Sequence, residues 1–185
     1  MVFPKRTRHG TRVSGWAVGF FLFYAVAGRA EDFRLESVGA RVGFPANWSS
    51  RYFRQVEIFA NWNLPRGWDL GKEWWLHSRL DLSAGWLGDQ GVNGAIGTAG
   101  PTLVLGRERL PVSLEGGVSL TGLSPAQFPS KDFGMNFQFT SHVGLNWDFA
   151  THWRLSYRFQ HMSNAGLSPS NPGLNLFVVG LSYLF

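Results

Sequence analysis

A sustained alternation of mostly apolar and mostly polar side chains constrains the fold of this chain more than any other feature of its sequence. Across residues 135–147 the odd positions carry Met, Phe, Phe, Ser, Val, Leu and Trp, and the even positions carry Asn, Gln, Thr, His, Gly and Asn. Successive side chains of a β-strand point to opposite faces. A period of two over this length therefore predicts a strand with one apolar and one polar face.

The same alternation recurs along the chain and predicts eight strands. They are expected at residues 35–44, 52–62, 74–86, 95–105, 112–120, 135–147, 153–163 and 175–185. Arg54 falls on the apolar parity of the second strand, and glycines and Pro101 interrupt the fourth. Eight strands of roughly ten residues are enough to close an all-β barrel.

The face that such a barrel turns outward separates two classes of protein. A soluble ligand-binding barrel encloses its apolar row, whereas an outer-membrane barrel turns that row to lipid and packs polar side chains in its lumen. The polar rows are rich in amides, hydroxyls and glycine, and their charges are balanced. Their charged members are Glu57, Arg79, Asp81, Glu115, Arg154 and Arg158. This composition suits a hydrogen-bonded lumen better than a solvated surface.

The apolar rows and the end of the chain favour the membrane. Tryptophans stand near the strand ends, as in the aromatic girdles of membrane barrels; they are Trp74, Trp86, Trp147 and Trp153. The chain finishes on "FVVGLSYLF", which resembles the terminal strand of bacterial outer-membrane proteins. We therefore predict an eight-stranded antiparallel transmembrane β-barrel of the bacterial outer membrane.

The first thirty residues have the pattern of a secretory signal peptide. Five basic and no acidic residues flank the apolar run "GWAVGFFLFYAVA", and Ala27 or Ala30 is expected to be the last residue removed. The run is shorter than the roughly twenty residues of a spanning helix, which argues against an anchor. We expect residues 31–185 to form the barrel domain. It holds twelve basic and twelve acidic residues and no Cys, so neither nucleic-acid binding nor disulfides are expected.

The strand count also predicts an orientation. With the mature N-terminus in the periplasm, residues 106–111 and 147–153 become periplasmic turns. Residues 87–95, 121–132 and 164–174 become outer loops, which are generally longer in this class of barrel.

Three polar residues fall on the apolar parity near the outer end. His161 and Ser163 continue the apolar row of the seventh strand, and Asn175 shares the parity of the apolar row of the last. Two residues along a strand span about 6.5–7 Å, so His161 can lean toward the Ser163 hydroxyl. Antiparallel pairing across the loop would bring Asn175 opposite His161.

A serine beside a histidine base that a third polar group orients is the arrangement of acyl-transfer enzymes. The residues alone leave an alternative open: three polar side chains at a membrane interface, where their free-energy cost is small.

The stretch "HMSNAGLSPSNPGLN", residues 161–175, resembles the signature of the PagL family, the outer-membrane lipid A 3-O-deacylases. The resemblance implies an eight-stranded barrel with a serine-esterase site on its exterior. It also implies hydrolysis of the ester-linked 3-hydroxyacyl chain at position 3 of lipid A, with His161 as general base and Ser163 as nucleophile. The positions that resemble supports of the oxyanion or of the loop geometry are Asn164, Gly166 and Asn171. Backbone N–H groups around Gly166 are physically suited to an oxyanion.

One position departs from the family pattern, because Asn175 stands where the family has an acid, and no Asp or Glu follows Asp148. An Asn can orient a His through its carbonyl oxygen but cannot offset the imidazolium charge, so lower activity or a different pH profile is expected. A His-x-Ser with a later Asn also resembles outer-membrane phospholipase A, whose twelve-stranded barrel this chain is too short to form.

An outer-membrane phospholipase on the same barrel is therefore one alternative function. A non-enzymatic small barrel, an adhesin or envelope scaffold, is another, although it has no need of a lipid-facing His and Ser. The expected partners are lipid A or lipopolysaccharide as substrate and the outer membrane, with a homodimer left open. No cofactor is expected. His77 and His142 are expected to form hydrogen bonds in the lumen and His152 to lie in a turn, and no acidic or histidine cluster has metal-ligand spacing.

Overall fold

The computed structural model describes residues 33–185, so the predicted signal peptide lies outside the described residues. The strands are β1 (Arg34–Pro45), β2 (Phe53–Gly71), β3 (Trp74–Asp89), β4 (Val92–Arg107), β5 (Val112–Ser124), β6 (Phe137–Ala150), β7 (Trp153–Ser163) and β8 (Leu174–Leu184). They form a closed barrel in which all neighbouring strands are antiparallel and β8 pairs with β1. The predicted eight-stranded barrel is confirmed.

The strand bounds differ from the predicted ones mainly at two hairpins. β2 continues to Gly71 instead of residue 62, because its less regular inner part still pairs with β3 through register shifts after Asn63 and Asp69. β3 and β4 are joined by Gln90 and Gly91 alone, with φ of 48° and 87°. Two successive positive φ values make the tight turn that matches strand twist. The prediction of a longer loop at residues 87–95 is therefore wrong.

Side-chain parity follows the predicted outward apolar rows. Ile58 is 70% exposed and Val143 is 58% exposed on the outer surface. The four tryptophans predicted near strand ends are all exposed on that surface as well. β1, β3, β5 and β7 all finish at one end of the barrel, called the outer end after the predicted orientation. Among residues 33–185, no helix is long and apolar enough to cross a bilayer.

Ion pairs fill the middle of the lumen. Arg41 donates from Nε to Glu57 at 2.6 Å and lies 3.2 Å from an oxygen of Asp81. Arg158 Nη2 lies 2.9 Å from an oxygen of Glu115. None of the central ionic side chains is more than 4% exposed: they are Arg41, Glu57, Arg79, Asp81, Glu115 and Arg158. Each of these charges is compensated by a partner of opposite sign, as burial requires.

Apolar side chains close the lumen at the outer end. Phe128 and Phe133, from the segment between β5 and β6, pack edge-on against Phe53 with ring centroids 5.6 and 5.9 Å away. The buried cluster consists of Phe53, Leu87, Ile96, Leu123, Phe128, Phe133, Met162, Leu174, Leu176 and Val178. This buried cluster holds the segment between β5 and β6 next to the loop that joins β7 to β8.

Candidate active site

The β7–β8 hairpin places His161, Ser163 and Asn175 on the outer surface near the outer end of the barrel. All three are half-buried, while Gln160 and Met162 alternate with them and are buried inside. His161 and Asn175 are partners in the ladder, and His161 Nδ1 lies 2.7 Å from Asn175 Oδ1. The hairpin register therefore sets Asn175 directly opposite His161.

The contact between His161 and Asn175 determines that Nδ1 of the ring is a hydrogen-bond donor. An amide oxygen only accepts hydrogen bonds, so His161 Nδ1 carries the hydrogen. Nε2 of the neutral ring then keeps its lone pair, as a general base requires. Asn175 supplies orientation without charge.

Ser163 is the last residue of β7 and stands two positions beyond His161 on the same face. Within residues 33–185 its hydroxyl has no hydrogen-bond partner. The hydroxyl is therefore free to donate to His161 Nε2. Catalytic hydrogen bonds of this kind often tighten only when substrate is bound.

Asn164 organises the loop between β7 and β8, and its side chain is completely buried. Its Nδ2 donates to Ser170 O at 2.7 Å and to Phe133 O at 3.0 Å. Its Oδ1 accepts from the N–H of Gly166 at 2.9 Å. The N–H of Asn164 donates to Asn171 Oδ1 at 3.0 Å. One side chain thus ties the loop to itself and to the β5–β6 segment.

A tight turn follows Asn164. Ala165 and Gly166 have φ of 54° and 81°, and Leu167 N–H donates to Asn164 O at 3.0 Å. A Cβ added at Gly166 would meet nothing within 4 Å, so backbone conformation alone favours glycine there. The N–H of Gly166 already bonds Asn164 and is not a free donor. In the described part of the chain, the N–H of Ala165 and Nδ2 of Asn171 have no partner.

A second turn residue and a buried cation support the histidine. Gly173 has a φ of 63°, and a Cβ added there would lie 3.0 Å from Cε1 of His161. Lys131 Nζ donates to Gly173 O at 2.7 Å, and Lys131 is only 7% exposed. Burial lowers the pKa of Lys131, and the nearby Asp89 carboxylate opposes this shift. The backbone that packs on the imidazole is thus anchored to the β5–β6 segment.

Ser141 is a second serine beside His161, and the sequence analysis did not single it out. It lies on the exposed face of β6 as the ladder partner of His161 on the side away from Asn175. A polar side chain in an otherwise apolar row was the signal that could have found it. Its neighbours on that row are Phe139 and Val143, and it sits inside β6, which is paired along both edges. Ser163, in contrast, adjoins a loop with unpaired donors.

The remaining histidines lie away from this surface. His142 is in the lumen with Nε2 3.5 Å from Thr102 Oγ1. The His77 ring stacks on Trp75 with centroids 4.5 Å apart. His152 lies in the inner turn between β6 and β7, and its Nδ1 is 3.0 Å from Leu184 O at the end of β8. Within residues 33–185, no group of three or more His, Asp or Glu is placed to hold a metal ion.

Comparison with known proteins decides the family. The statistical model of the family described as "Lipid A 3-O-deacylase (PagL)" matches residues 54–184, which is most of the chain. This chain belongs to the PagL family. The resemblance carried by residues 161–175 is thereby confirmed.

Individual PagL proteins are similar to this chain over different lengths. The lipid A deacylase PagL of Bordetella bronchiseptica is 36% identical over 72 residues, which cover 39% of this chain and 40% of that protein. The lipid A deacylase PagL of Pseudomonas aeruginosa is 25% identical over 126 residues, 63% of this chain and 73% of that protein. The crystal structure of the outer membrane enzyme PagL superposes with a TM-score of 0.70 at 18% identity, over 80% of this chain and 99% of that one. The barrel architecture is therefore that of a PagL structure.

Proposed function

We propose that this chain is a lipid A 3-O-deacylase that removes the ester-linked 3-hydroxyacyl chain at position 3 of lipid A. The observation that carries the proposal is the 2.7 Å contact between His161 and Asn175 beside an unpaired Ser163, on the lipid-facing side of a PagL-family barrel. The two relatives named above are both called lipid A deacylases.

The proposed reaction proceeds by acyl transfer through Ser163. Its Oγ attacks the ester carbonyl while His161 Nε2 takes the hydroxyl proton. The C–O bond to the sugar then breaks, and the imidazolium returns the proton to the departing sugar oxygen. A water molecule, deprotonated by the same nitrogen, hydrolyses the acyl-serine ester and releases the 3-hydroxy fatty acid. Asn175 holds the ring in the required tautomer throughout.

The negative oxygen of each tetrahedral intermediate needs hydrogen-bond donors that are in place beforehand. We assign this role to the N–H of Ala165, two residues beyond Ser163, and to the Nδ2 group of Asn171, whose Oδ1 accepts from the N–H of Asn164. Neither donor has a partner among the described residues. Asn164 and Gly166 instead give the loop its shape, since their N–H groups are already bonded. Their contribution to catalysis is positional.

The half-buried position of the site near the outer end suits a lipid substrate that diffuses in the outer leaflet and arrives from the side. This arrangement requires export, so residues 1–30 are proposed to be a leader cleaved after Ala27 or Ala30, leaving residues 31–185 as the barrel. N-terminal sequencing of the purified protein would test the cleavage. A homodimer stays a prediction that size-exclusion chromatography with light scattering would test.

Mass spectrometry of lipid A from cells that express the chain is the decisive experiment for the activity. We expect a mass loss equal to one 3-hydroxyacyl chain with the wild type and none with Ser163→Ala. An outer-membrane phospholipase would instead release fatty acid from phospholipid and leave lipid A intact. That result would overturn the proposal in favour of the alternative function.

A further inference from the structure

The segment between β1 and β2, residues 46–52, joins the proposed active site to two exposed cations. The N–H of Asn175 donates to Ser50 Oγ at 3.3 Å, and Asn175 O accepts from the N–H of Ala46 at 3.0 Å. Arg51 follows Ser50 directly, and Arg54 points outward at the start of β2. Both arginines are exposed. They therefore stand at the edge of the same surface as His161.

The side chain of Arg51 is held in a defined place. Its guanidinium carbon lies 4.7 Å from the ring centroid of Trp48 and 4.3 Å from that of Tyr52. Its Nη1 donates to Trp48 O at 3.3 Å. Contact with two aromatic faces restrains a guanidinium without using its N–H groups. Within residues 33–185 the Nε and Nη2 hydrogens of Arg51 have no partner and can be donated to a ligand.

Arg54 is anchored against the same segment. Its Nη1 donates to Phe53 O at 2.7 Å and to Arg51 O at 3.1 Å. The outward parity of Arg54, which breaks the apolar row of β2, thus places a second guanidinium beside the first. Its Nε and Nη2 hydrogens also have no partner within residues 33–185.

Neither guanidinium is compensated by an acid. Among the residues that the structure describes, no carboxylate lies within ion-pair distance of Arg51 or Arg54. None of the other described ionic groups near the outer end forms an ion pair with either arginine. Asp89 accepts from Ser130, Lys131 is buried against a backbone carbonyl, and the exposed Asp132 accepts from the N–H of Gly134. The loop of residues 164–173 carries no charge at all.

The level of these arginines in the membrane indicates their ligand. Trp48 is 79% exposed and Tyr52 is 43% exposed, and such aromatic side chains mark the membrane–water interface. Lipid phosphates lie at that depth, and a guanidinium edge matches a phosphate through two parallel N–H···O contacts. We propose that Arg51 and Arg54 bind a phosphate group of the lipid substrate while its ester lies at Ser163. The assignment of that lipid as lipid A, a phosphorylated sugar lipid, rests on the proposed function.

A phosphate site of this kind affects substrate binding and does not change the rate of the chemical step. The phosphate contact is made equally in the ground state and the transition state, so its loss raises KM with little change in kcat. Two partly solvated charge-assisted contacts together correspond to a roughly tenfold effect.

The test uses the purified full chain in neutral detergent micelles with two substrates, lipid A and the same lipid A after enzymatic removal of its phosphates. The variant is the double substitution Arg51→Gln/Arg54→Gln, and the control is Arg34→Gln, an exposed arginine at the inner start of β1. We expect the double variant to raise KM about tenfold on phosphorylated lipid A and leave it unchanged on the dephosphorylated lipid. The control should match the wild type on both.

An equal KM for wild type and double variant on phosphorylated lipid A would overturn the phosphate site while leaving the deacylase intact. An equal rise on both substrates would also overturn it, since the arginines would then act without the phosphate. A third arm adds anionic phospholipid to the dephosphorylated substrate. If the KM difference appears only then, the phosphate comes from a neighbouring lipid and the assignment to the substrate is wrong.

Failure of the proposed function itself would look different. The wild type would then release no acyl chain from either form of lipid A. In that case the phosphate site is judged by equilibrium binding of the two lipids to Ser163→Ala protein with and without the arginine substitutions. Tighter binding of the phosphorylated lipid that depends on the arginines would support the site, and equal binding would overturn it.

Discussion

Two groups of polar side chains on this barrel differ in how their charges and hydrogen-bonding groups are paired. In the lumen, Arg41 bridges Glu57 and Asp81, and these buried side chains are paired charge to charge. On the exterior, His161 and Asn175 share one neutral hydrogen bond and Ser163 has no partner in the described residues. In the first group each charge has a partner of opposite sign, whereas the second group keeps unpaired donors and acceptors among the described residues.

This contrast follows from the surroundings of each group. A charge in a low-dielectric lumen is tolerated only when a partner compensates it, so charge pairing there serves stability. The proposed active site has to bind a substrate oxygen and move a proton, so it needs unpaired donors and acceptors. Among the described residues these include His161 Nε2, Ser163 Oγ and Asn171 Nδ2. A neutral Asn175 keeps the lipid-facing surface free of a carboxylate, at the expense of charge stabilisation for the imidazolium.

The largest expected effect is the loss of activity on substitution of Ser163, compared with substitution of Ser141 on the neighbouring strand β6. Ser163→Ala should reduce deacylation by about a thousandfold or more, because it removes the proposed nucleophile. Ser141→Ala is the matched control, a change of the same size beside the same histidine, and should keep nearly full activity. Release of 3-hydroxy fatty acid from lipid A measures both. The reverse result would make Ser141 the nucleophile.

Removing an ion pair from the lumen should lower the unfolding free energy of the barrel and leave the rate of deacylation unchanged. Arg41→Met removes the cation between Glu57 and Asp81 and leaves buried carboxylates without it, so the barrel should lose about 3–5 kcal/mol of unfolding free energy. Urea unfolding in detergent measures the loss, with Arg34→Gln as an exposed control. Folded protein should deacylate at the wild-type rate. A loss of activity without a loss of stability would contradict the separation of the two groups.

Asn164 shares a feature with each group, because its side chain is buried and hydrogen-bonded and also shapes the exterior loop between β7 and β8. Asn164→Ala leaves the carbonyls of Phe133 and Ser170 without their donor, and should cost about 2–3 kcal/mol of stability. Activity should fall more than tenfold as the loop donors lose their position. Asn164→Asp keeps the acceptor for the N–H of Gly166 but sets a buried carboxylate oxygen against the carbonyl oxygens of Phe133 and Ser170, so its stability loss should equal or exceed that of Asn164→Ala. Unchanged kcat in both variants would show that the loop holds its shape without Asn164.

The smallest expected effects concern Asn175, the neutral third residue of the proposed active site. Asn175→Ala should lower kcat about tenfold, because the variant loses the one hydrogen bond that orients His161. Asn175→Glu should raise kcat a few-fold above the wild type, roughly the gain from offsetting the imidazolium charge, and Asn175→Asp controls for side-chain length. Kinetics on lipid A micelles at neutral pH measure all three. If Asn175→Ala behaves like the wild type, Asn175 does not position His161.

Much of the fold could be read from the sequence, because the outward and inward rows of a strand are a direct consequence of a two-residue period. Alternation placed most of the strand ends within a few residues and turned Glu57 inward and His161 outward. It failed at residues 63–71, where Pro65 and two glycines hide a strand that only pairing with β3 reveals. It also failed at residues 87–95, where two positive φ values turn a predicted loop into a two-residue turn.

The sequence alone predicts the barrel, the lipid-facing parity of His161, Ser163 and Asn175, and a neutral side chain at position 175. Which of the described groups stay unpaired is seen only in the folded chain. Whether Asn164 Nδ2 bonds Phe133 O, whether Lys131 Nζ bonds Gly173 O, and whether the N–H of Asn175 bonds Ser50 Oγ depend on contacts between segments far apart in the chain. Strand parity fixes the face on which a side chain lies, because it is a local property of the backbone. Hydrogen-bond partners are set by the closure of the barrel, which no local pattern encodes.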